Sequence, residues 1–234
     1  MTAMSVLCQI RALAPLSLNA QEVYISTCQL DDDSDIALMG AWDVLSSEEI
    51  TRAKRFRFMR DCSRYVRGRA FLRHSLGTAI GQHPARVALT QVANGKPFLD
   101  ETLHFNLSHS DGLAVLAISA CGPVGIDLEF IDRRVDISGL VGSCFTKEEE
   151  QSILTLPLPE QATRFFTYWT AKEARMKLTG EGMLLSPRQV VLDIRDGVPV
   201  GYLRPDSPAM QAVFIDLGRY ETICCLAMIS NEPS

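Results

Sequence analysis

Residues 165–177 have the sequence FFTYWTAKEARMK, which predicts one helix. Trp169, Glu173 and Lys177 recur at intervals of four residues, so they share one face of that helix. A carboxylate and an ammonium beside a large aromatic ring could form a reactive surface. They could equally be an ordinary helix-surface pair, which adds only about 0.2–0.5 kcal/mol to helix stability. By itself, the helix favours this second interpretation.

A second segment upstream, VGIDLEF at residues 124–130, predicts a β-strand. Because side chains alternate along a strand, Asp127 and Glu129 face one side, and Ile126 and Leu128 face the other. Two neighbouring carboxylates repel each other, and a hard cation such as Mg²⁺ would relieve that repulsion, since it prefers oxygen ligands. The alternative is a solvent-facing acidic pair at a sheet edge. The spacing alone favours this alternative.

The chain has 234 residues, of which 47% are hydrophobic and 22% are charged, and its net charge is −5. This composition is ordinary for a globular protein, and the length allows one large core or two small packed domains. The seven cysteines are odd in number and contain no C-x-x-C pair, which favours a reducing compartment over a disulfide framework or a zinc ribbon. The sequence shows no secretory signal and no apolar run of about 20 residues. We therefore expect a cytoplasmic protein.

The order of the predicted elements repeats along the chain. Residues 46–49 (SSEE) and 146–149 (TKEE) both fit a helix-capping box, and each opens two helices that are followed by strands. The segment CGP at residues 121–123 breaks the chain near its midpoint. We therefore predict an α+β fold that is a pseudo-symmetric duplication, each lobe a small antiparallel sheet packed with helices. The N-terminal lobe would span residues 1–120 and the C-terminal lobe residues 121–234, and no residue-level repeat between them is evident.

The segment from Arg52 to Arg73 carries nine basic residues and one acidic residue. It allows three interpretations: a solvated helix face, a nucleic-acid-binding surface, or a grip on the phosphates of a small ligand. The acidic total charge argues mildly against a dedicated nucleic-acid protein. Lys96, in the turn GKP at residues 95–97, adds a cation without the spacing of a nucleotide P-loop. Ser108 and His109 lie at a predicted hairpin tip, where both could donate hydrogen bonds to a phosphate or a ribose.

Five motifs together resemble the Sfp-type 4′-phosphopantetheinyl transferase family across residues 45–185. They are GKP at residues 95–97, FNLSHS at 105–110, GIDLE at 125–129, FTKE at 145–148 and WTAKEA at 169–174, followed by Lys177 and Gly182. The two acidic motifs are specific as a pair, although either alone would be weak. The resemblance implies two pseudo-symmetric α+β lobes with the active site in the cleft between them.

Members of this family transfer 4′-phosphopantetheine from coenzyme A to a serine of a carrier protein and release adenosine 3′,5′-bisphosphate. The resemblance therefore implies Mg²⁺ as cofactor and coenzyme A as co-substrate. It implies that Asp127, Glu129 and Glu173 hold the Mg²⁺ ion. By the same resemblance Glu173 is the general base for the carrier serine, directly or through water, and Lys177 offsets charge on the pyrophosphate. The residues expected to contact coenzyme A are Arg52, Arg64, Lys96, Pro97, Ser108, His109, Asp127, Lys172 and Lys177.

One position departs from the family pattern. Glu49 stands where members often have a lysine, and a glutamate cannot bind a phosphate. Either Arg52 and Arg64 suffice for the 3′-phosphate of coenzyme A, with Lys54 or Arg55 helping, or that grip is looser here. We leave Glu49 out of the predicted site, and we expect the Trp169 ring to pack the helix against the strand.

The implied partner is an apo acyl or peptidyl carrier protein of fatty-acid, polyketide or nonribosomal peptide synthesis. The resemblance implies an acidic carrier, for which Arg133, Arg134 and residues 141–145 are the docking candidates. We expect a monomer, because the cleft would lie within one chain, and neither a nucleic-acid nor a membrane partner. Two alternatives stay open: a metal-dependent phosphohydrolase that uses water as the acceptor, and a nucleotide or nucleic-acid-binding module that uses the segment Arg52–Arg73.

Overall fold

The computed structural model describes residues 10–12, 16–18, 21–31, 35–91, 97–99, 103–203, 209–219 and 221–230. The strands there are β1 (Ile10–Ala12), β2 (Leu16–Leu18), β3 (Gln21–Gln29), β4 (Thr90–Gln91), β5 (Pro97–Phe98), β6 (His104–Ser110), β7 (Leu113–Ser119), β8 (Val124–Phe130), β9 (Val191–Arg195), β10 (Val198–Leu203), β11 (Met210–Phe214) and β12 (Thr222–Ile229). The helices are α1 (Asp35–Trp42), α2 (Ser47–Ala53), α3 (Met59–Ile80), α4 (Ile137–Cys144), α5 (Lys147–Leu154) and α6 (Leu158–Thr179), with 3₁₀ turns at Pro84–Arg86, Gly182–Leu184 and Pro187–Gln189.

The strands form two five-stranded sheets and a two-stranded ribbon. The first sheet has the order β1-β3-β7-β6, with β2 also paired to β3, and the second has the order β8-β12-β11-β10-β9. All of these neighbours pair antiparallel, and β4 and β5 form the ribbon. The predicted α+β fold with two antiparallel sheets and packed helices is therefore confirmed. The lobe boundary at residue 121 stays a prediction, although it falls in the connection between the two sheets.

The two sheets pack against each other, and each carries a long helix on its outer face. The core between α3 and the first sheet includes Phe71, Leu72, Leu76, Phe105 and Leu116. The core between the sheets includes Ile25, Val115, Ile126, Leu128 and Leu226. The core between the second sheet and α6 includes Phe165, Tyr168, Ala171, Ala174 and Cys225. Along β8, residues 126 and 128 thus face the first sheet, as the alternation predicted, which leaves Asp127 on the side of α6.

Both predicted capping boxes are present. Ser46 and Thr146 are the N-caps of α2 and α5, and each exchanges hydrogen bonds with the glutamate three residues later. That glutamate is Glu49 in the first half of the chain and Glu149 in the second. Both long helices that follow, α3 and α6, have 22 residues and end at a glycine C-cap.

The structure also reveals a residue-level repeat that the sequence alone did not show. Arg73 and Lys172 occupy the same position of their 22-residue helices. Arg73 forms an ion pair of 2.6 Å with Glu49, and Lys172 forms one of 2.6 Å with Glu149. Arg73 also donates to the carbonyls of Pro84 and Val87, and Lys172 donates to those of Pro187 and Val190. We call Glu49–Arg73 and Glu149–Lys172 the anchor pairs.

Six of the seven cysteines lie in the described part of the chain, and all six are free thiols. Within that same part, no helix has both the length and the apolar character needed to cross a membrane.

Candidate active site

Helix α6 lies directly against strand β8. A Cβ atom on Gly125 would lie 2.1 Å from the carbonyl oxygen of Ala174, so only a residue without a side chain permits this approach. The close packing brings Glu173 and Lys177 of α6 to the face of β8 that carries Asp127. The glycine of the GIDLE motif therefore has a physical reason: it sets the distance between the strand and the helix.

The other edge of β8 is joined to β6 by side chains. Asn106 Oδ1 accepts a hydrogen bond from the N–H of Ile126 (2.8 Å), Ser108 Oγ from that of Leu128 (3.3 Å) and Ser110 Oγ from that of Phe130 (3.1 Å). Buried backbone donors require such partners, and here polar side chains at every second position provide them. This polar ladder joins the two sheets and places the end of β6 beside the acidic residues of β8.

Asp127 is the centre of the site, with only 3% of its surface exposed. Its Oδ1 accepts hydrogen bonds from Lys177 Nζ (2.6 Å) and Ser108 Oγ (2.9 Å). Its Oδ2 is buried and has no hydrogen-bond partner among the described residues. An unsatisfied buried carboxylate oxygen is costly, so this oxygen is a point where a positively charged ligand would be stabilised.

Two further carboxyl groups face Asp127. Burial and the charge of Asp127 raise the pKa of Glu129 to about 7. The Glu129 carboxylate accepts hydrogen bonds from Trp169 Nε1 (3.2 Å) and Ser110 Oγ (3.3 Å). The pKa of Glu173 is raised by burial and then by Asp127, while Lys177 opposes the shift. We call Asp127, Glu129 and Glu173 the carboxylate cluster.

The carboxylate cluster has the chemistry of a divalent-cation site. As the side chains stand, no group of three or more His, Cys, Asp or Glu residues in the described part of the chain is arranged to hold a metal ion. The donor set nevertheless fits a hard cation, because all its ligands are oxygens and one of them is buried with no partner in the described part of the chain. A cation would also favour the ionised forms of Glu129 and Glu173, which burial and mutual repulsion disfavour.

A cavity of about 510 Å³ opens beside the carboxylate cluster, in the first half of the chain. Its lining includes Arg52, Arg64, Arg69, Pro97 and His109, together with the ring of Tyr65. The Arg52 guanidinium lies over that ring, 5.5 Å from its centroid. The cavity thus combines cations with an aromatic wall, a combination that suits a phosphorylated ligand with a flat base.

His109 connects the cavity to the carboxylate cluster. It lines the cavity, and it lies near enough to Lys177 and Asp127 to be affected by their charges. Burial lowers its pKa, and the nearby charges of Lys177 and Arg64 lower it further. The neutral imidazole of His109 is therefore favoured in the free protein.

Most of the predicted site residues lie in these two places. Arg52, Arg64, Pro97 and His109 line the cavity, whereas Ser108, Asp127, Glu129, Glu173 and Lys177 lie at the carboxylate cluster. Lys96 lies outside the described residues. Trp169 packs against the core beneath α6, as expected, and also donates to Glu129.

Lys172, which was also expected to contact coenzyme A, lies in neither the cavity nor the carboxylate cluster. Its side chain is fully buried, pairs with Glu149 and lies over the Phe145 ring, with 5.1 Å between Nζ and the ring centroid. Tyr168 and Met176, four residues away on either side, are also fully buried, and this helical spacing could have predicted the burial of Lys172.

Glu49, the position that departs from the family pattern, is likewise buried. Its carboxylate pairs with Arg69 and Arg73. Sequence reasoning missed Arg69, as well as Asn106 and Ser110 of the polar ladder. The period of two in FNLSHS was the available signal for the ladder, since it places residues 106, 108 and 110 on one side of a strand.

The basic segment Arg52–Arg73 is not a continuous cationic face. Arg67 and Arg73 are buried, Arg69 pairs with Glu49, and Arg64 pairs with Asp31. The exposed basic residues of the segment are confined to residues 52–60, so the cationic surface is shorter than the segment.

The candidates for carrier docking lie on the second half of the chain. Arg133 pairs with Glu221 at 2.9 Å, and Arg134 pairs with Asp132 at 2.8 Å, so both charges are balanced locally. Residues 141–145 cover the end of α4, where Val141 and Phe145 are buried in the core under α6.

Comparison with known proteins identifies the class to which this fold and site belong. The family model described as the 4′-phosphopantetheinyl transferase superfamily matches residues 123–224. A second model, the N-terminal part of 4′-phosphopantetheinyl transferases, matches residues 33–121.

Individual relatives agree with these models. The 4′-phosphopantetheinyl transferase HetI of Nostoc sp. is 37% identical over 174 residues, which is 72% of this chain and 73% of the relative. The 4′-phosphopantetheinyl transferase psf-1 of Bacillus pumilus is 36% identical over 59% of each chain. The 4′-phosphopantetheinyl transferase Sfp of Bacillus subtilis strain 168 is 25% identical over 77% of this chain and 81% of the relative. This chain belongs to the 4′-phosphopantetheinyl transferase family, and it is therefore an enzyme.

Proposed function

We propose that this enzyme transfers the 4′-phosphopantetheine group of coenzyme A to a serine hydroxyl of an apo carrier protein and requires Mg²⁺. The observation that carries the proposal is the carboxylate cluster next to a cationic cavity, with a buried oxygen on Asp127 that has no partner among the residues that the structure describes. A reaction that transfers a phosphate-linked group from a pyrophosphate ester to a hydroxyl needs a place that holds phosphates. It also needs a group that takes the hydroxyl proton.

Asp127, Glu129 and Glu173 would hold the Mg²⁺ ion. When bound, the ion would supply positive charge against the pyrophosphate oxygens. Such ions usually retain water and phosphate ligands, so three protein carboxylates leave room for the substrate.

Glu173 is the proposed general base. A serine hydroxyl is a weak nucleophile until a base removes its proton. A positioned carboxylate can take that proton in the transition state, and Glu173 would do so here. The serine oxygen forms a bond to the phosphorus atom that carries pantetheine, the bond from that phosphorus to the bridging pyrophosphate oxygen breaks, and Glu173 takes the serine proton. The electron pair of the broken bond leaves with adenosine 3′,5′-bisphosphate.

Lys177, held by Ser108 and Asp127, would act on the leaving group. Lys177 Nζ donates to Ser108 Oγ at 2.8 Å and to Asp127 Oδ1 at 2.6 Å. An ammonium held in this place can stabilise the charge that develops on the leaving oxygen. The adenosine and its 3′-phosphate would occupy the cavity, near Arg52, Arg64 and His109.

The test uses the protein with coenzyme A, Mg²⁺ and an apo carrier protein, and weighs the carrier by mass spectrometry. We expect the carrier to gain one phosphopantetheine group. Glu173→Gln should abolish the gain while coenzyme A still binds, since the change removes the base but not the cavity. Glu160→Gln, at an exposed position of the same helix, is the matched control and should retain full turnover.

The outcomes separate the alternatives. Cleavage of coenzyme A without a carrier would identify a phosphohydrolase. Near-normal transfer by Glu173→Gln at saturating Mg²⁺ would exclude Glu173 as the base. We further propose a cytoplasmic monomer that uses acyl or peptidyl carrier proteins as partners, and sedimentation of the purified protein tests its oligomeric state.

A further inference from the structure

Lys172 has no donor left for a substrate. An ammonium has three N–H donors. The Lys172 Nζ atom contacts Glu149 Oε2 at 2.6 Å, the Pro187 carbonyl at 3.0 Å and the Val190 carbonyl at 2.7 Å. A side chain that is fully buried and fully bonded holds its own helix in place.

The Glu149–Lys172 pair is the meeting point of three elements. Glu149 lies on α5 and also accepts hydrogen bonds from the N–H groups of Leu192 in β9 (3.0 Å) and Thr146 (2.9 Å). Lys172 lies on α6, one residue before Glu173. The pair therefore fixes the axial position and the rotation of α6 next to the proposed base.

The Glu49–Arg73 pair has the same construction but acts on the other long helix. Arg73 contacts Glu49 at 2.6 Å and the carbonyl of Val87 at 3.0 Å. Glu49 also holds Arg69, which lines the cavity together with Arg64 of the same helix. This pair therefore fixes α3 beside the cationic wall of the cavity.

From this geometry we propose that the anchor pairs are positioning pairs with separate duties. The Glu149–Lys172 pair positions the transfer machinery on α6, and the Glu49–Arg73 pair positions the ligand-binding wall on α3. The proposal rests on the proposed function for its kinetic readout. It assigns Lys172 and Glu49 to indirect roles: neither touches the substrate.

The first experiment separates positioning from folding at Lys172. Lys172→Met leaves the Glu149 carboxylate buried without its partner, so Tm should fall by about 10 °C. The double variant Glu149→Gln/Lys172→Met removes both charges and should recover most of that loss. Its kcat should nevertheless stay about 100-fold below wild type, because the bonds from Lys172 to the carbonyls remain absent and small displacements of reacting groups are costly. Its KM for coenzyme A should stay within about threefold of wild type, since the loss falls on the transfer step.

The second experiment makes the matching change in the first half. Glu49→Gln/Arg73→Met should weaken the binding of coenzyme A, measured by calorimetry, by about tenfold, because Arg69, which lines the cavity, loses its ion pair with Glu49. Its kcat at saturating coenzyme A should change much less than that of the α6 double variant. Asp193→Asn/Arg195→Met, which removes an exposed ion pair on β9, is the control and should behave as wild type.

The results can overturn the proposal in two ways. If the Glu149→Gln/Lys172→Met protein recovers both Tm and kcat, Lys172 serves folding alone. If the same variant loses coenzyme A affinity with unchanged kcat, Lys172 is a substrate contact. A wild-type protein that transfers nothing refutes the proposed function instead. Calorimetry with coenzyme A on the two double variants then tests the anchor pairs, since only the Glu49→Gln/Arg73→Met protein should bind coenzyme A more weakly.

Discussion

Gly125→Ala is the sharpest test of how α6 and β8 are held together. A methyl group there would lie 2.1 Å from the Ala174 carbonyl oxygen and 2.4 Å from the Leu178 amide nitrogen. Non-bonded heavy atoms settle at about 3.5–4.0 Å, so the helix must retreat by at least about 1.4 Å. The 2.6 Å contact between Lys177 Nζ and Asp127 Oδ1 would then lengthen to about 4 Å, the limit of an ion pair.

Two effects of different kinds should follow from this substitution. Overpacking should destabilise the fold by about 1–3 kcal/mol, because the backbones of β8 and α6 are in direct contact at Gly125. A displacement above 1 Å at the reacting groups should lower kcat by about 100-fold. Coenzyme A binding should change little, since the cavity belongs to the first half of the chain.

The assay measures carrier modification by mass spectrometry, thermal unfolding and coenzyme A binding on the same preparation. Gly122→Ala is the matched control, because a Cβ there meets no atom within 4 Å. The reasoning is refuted if Gly125→Ala retains wild-type Tm and kcat, since β8 and α6 would then tolerate separation.

Three further predictions concern the carboxylate cluster and its neighbours. Mg²⁺ should raise the Tm of the wild-type protein but not of Asp127→Asn, and an equal shift in both would place the ion elsewhere. Ser108→Ala should lower the free energy of unfolding in urea by about 1–3 kcal/mol, because the buried N–H of Leu128 loses its partner; an unchanged value would contradict the role of the polar ladder. Adenosine 3′,5′-bisphosphate should bind more tightly as pH falls from 8 to 6, since its phosphates would raise the lowered pKa of His109 and binding would take up a proton. His109→Gln should have a smaller pH dependence in the same calorimetric titration, and an identical slope would exclude His109.

Local periodicity predicted much of the fold because it depends on the nearest neighbours in the chain. The alternation in VGIDLEF separated Asp127 from Ile126 correctly, since a strand allows only two faces. The capping boxes predicted the starts of α2 and α5, because the side chain and the backbone groups that it binds lie within four residues.

Long-range pairs were not predictable in the same way. The partner of Lys172 is Glu149 on another helix, and nothing in the spacing of the two residues shows that they meet. Motif similarity therefore suggested a substrate contact where the fold has an internal ion pair. Glu49 was left out of the predicted site because it cannot bind a phosphate. Its structural role, an ion pair that matches that of Glu149, becomes evident only in three dimensions.

The duplication also explains why one molecule has one candidate active site. The positions of α3 that match Glu173 and Lys177 of α6 hold His74 and Thr78. Burial lowers the pKa of His74, so the neutral form is favoured, and the Thr78 hydroxyl bonds to the carbonyl of His74 within its own helix. The outer face of the first sheet therefore faces no carboxylate and no ammonium from α3 at these positions. Both halves contain an anchor pair that holds a long helix, but only the second half has a carboxylate and an ammonium at these two helix positions, and the first half supplies the cavity instead. Because the carboxylate cluster and the cavity come from different halves, we expect the reaction to take place where β6 and β8 meet.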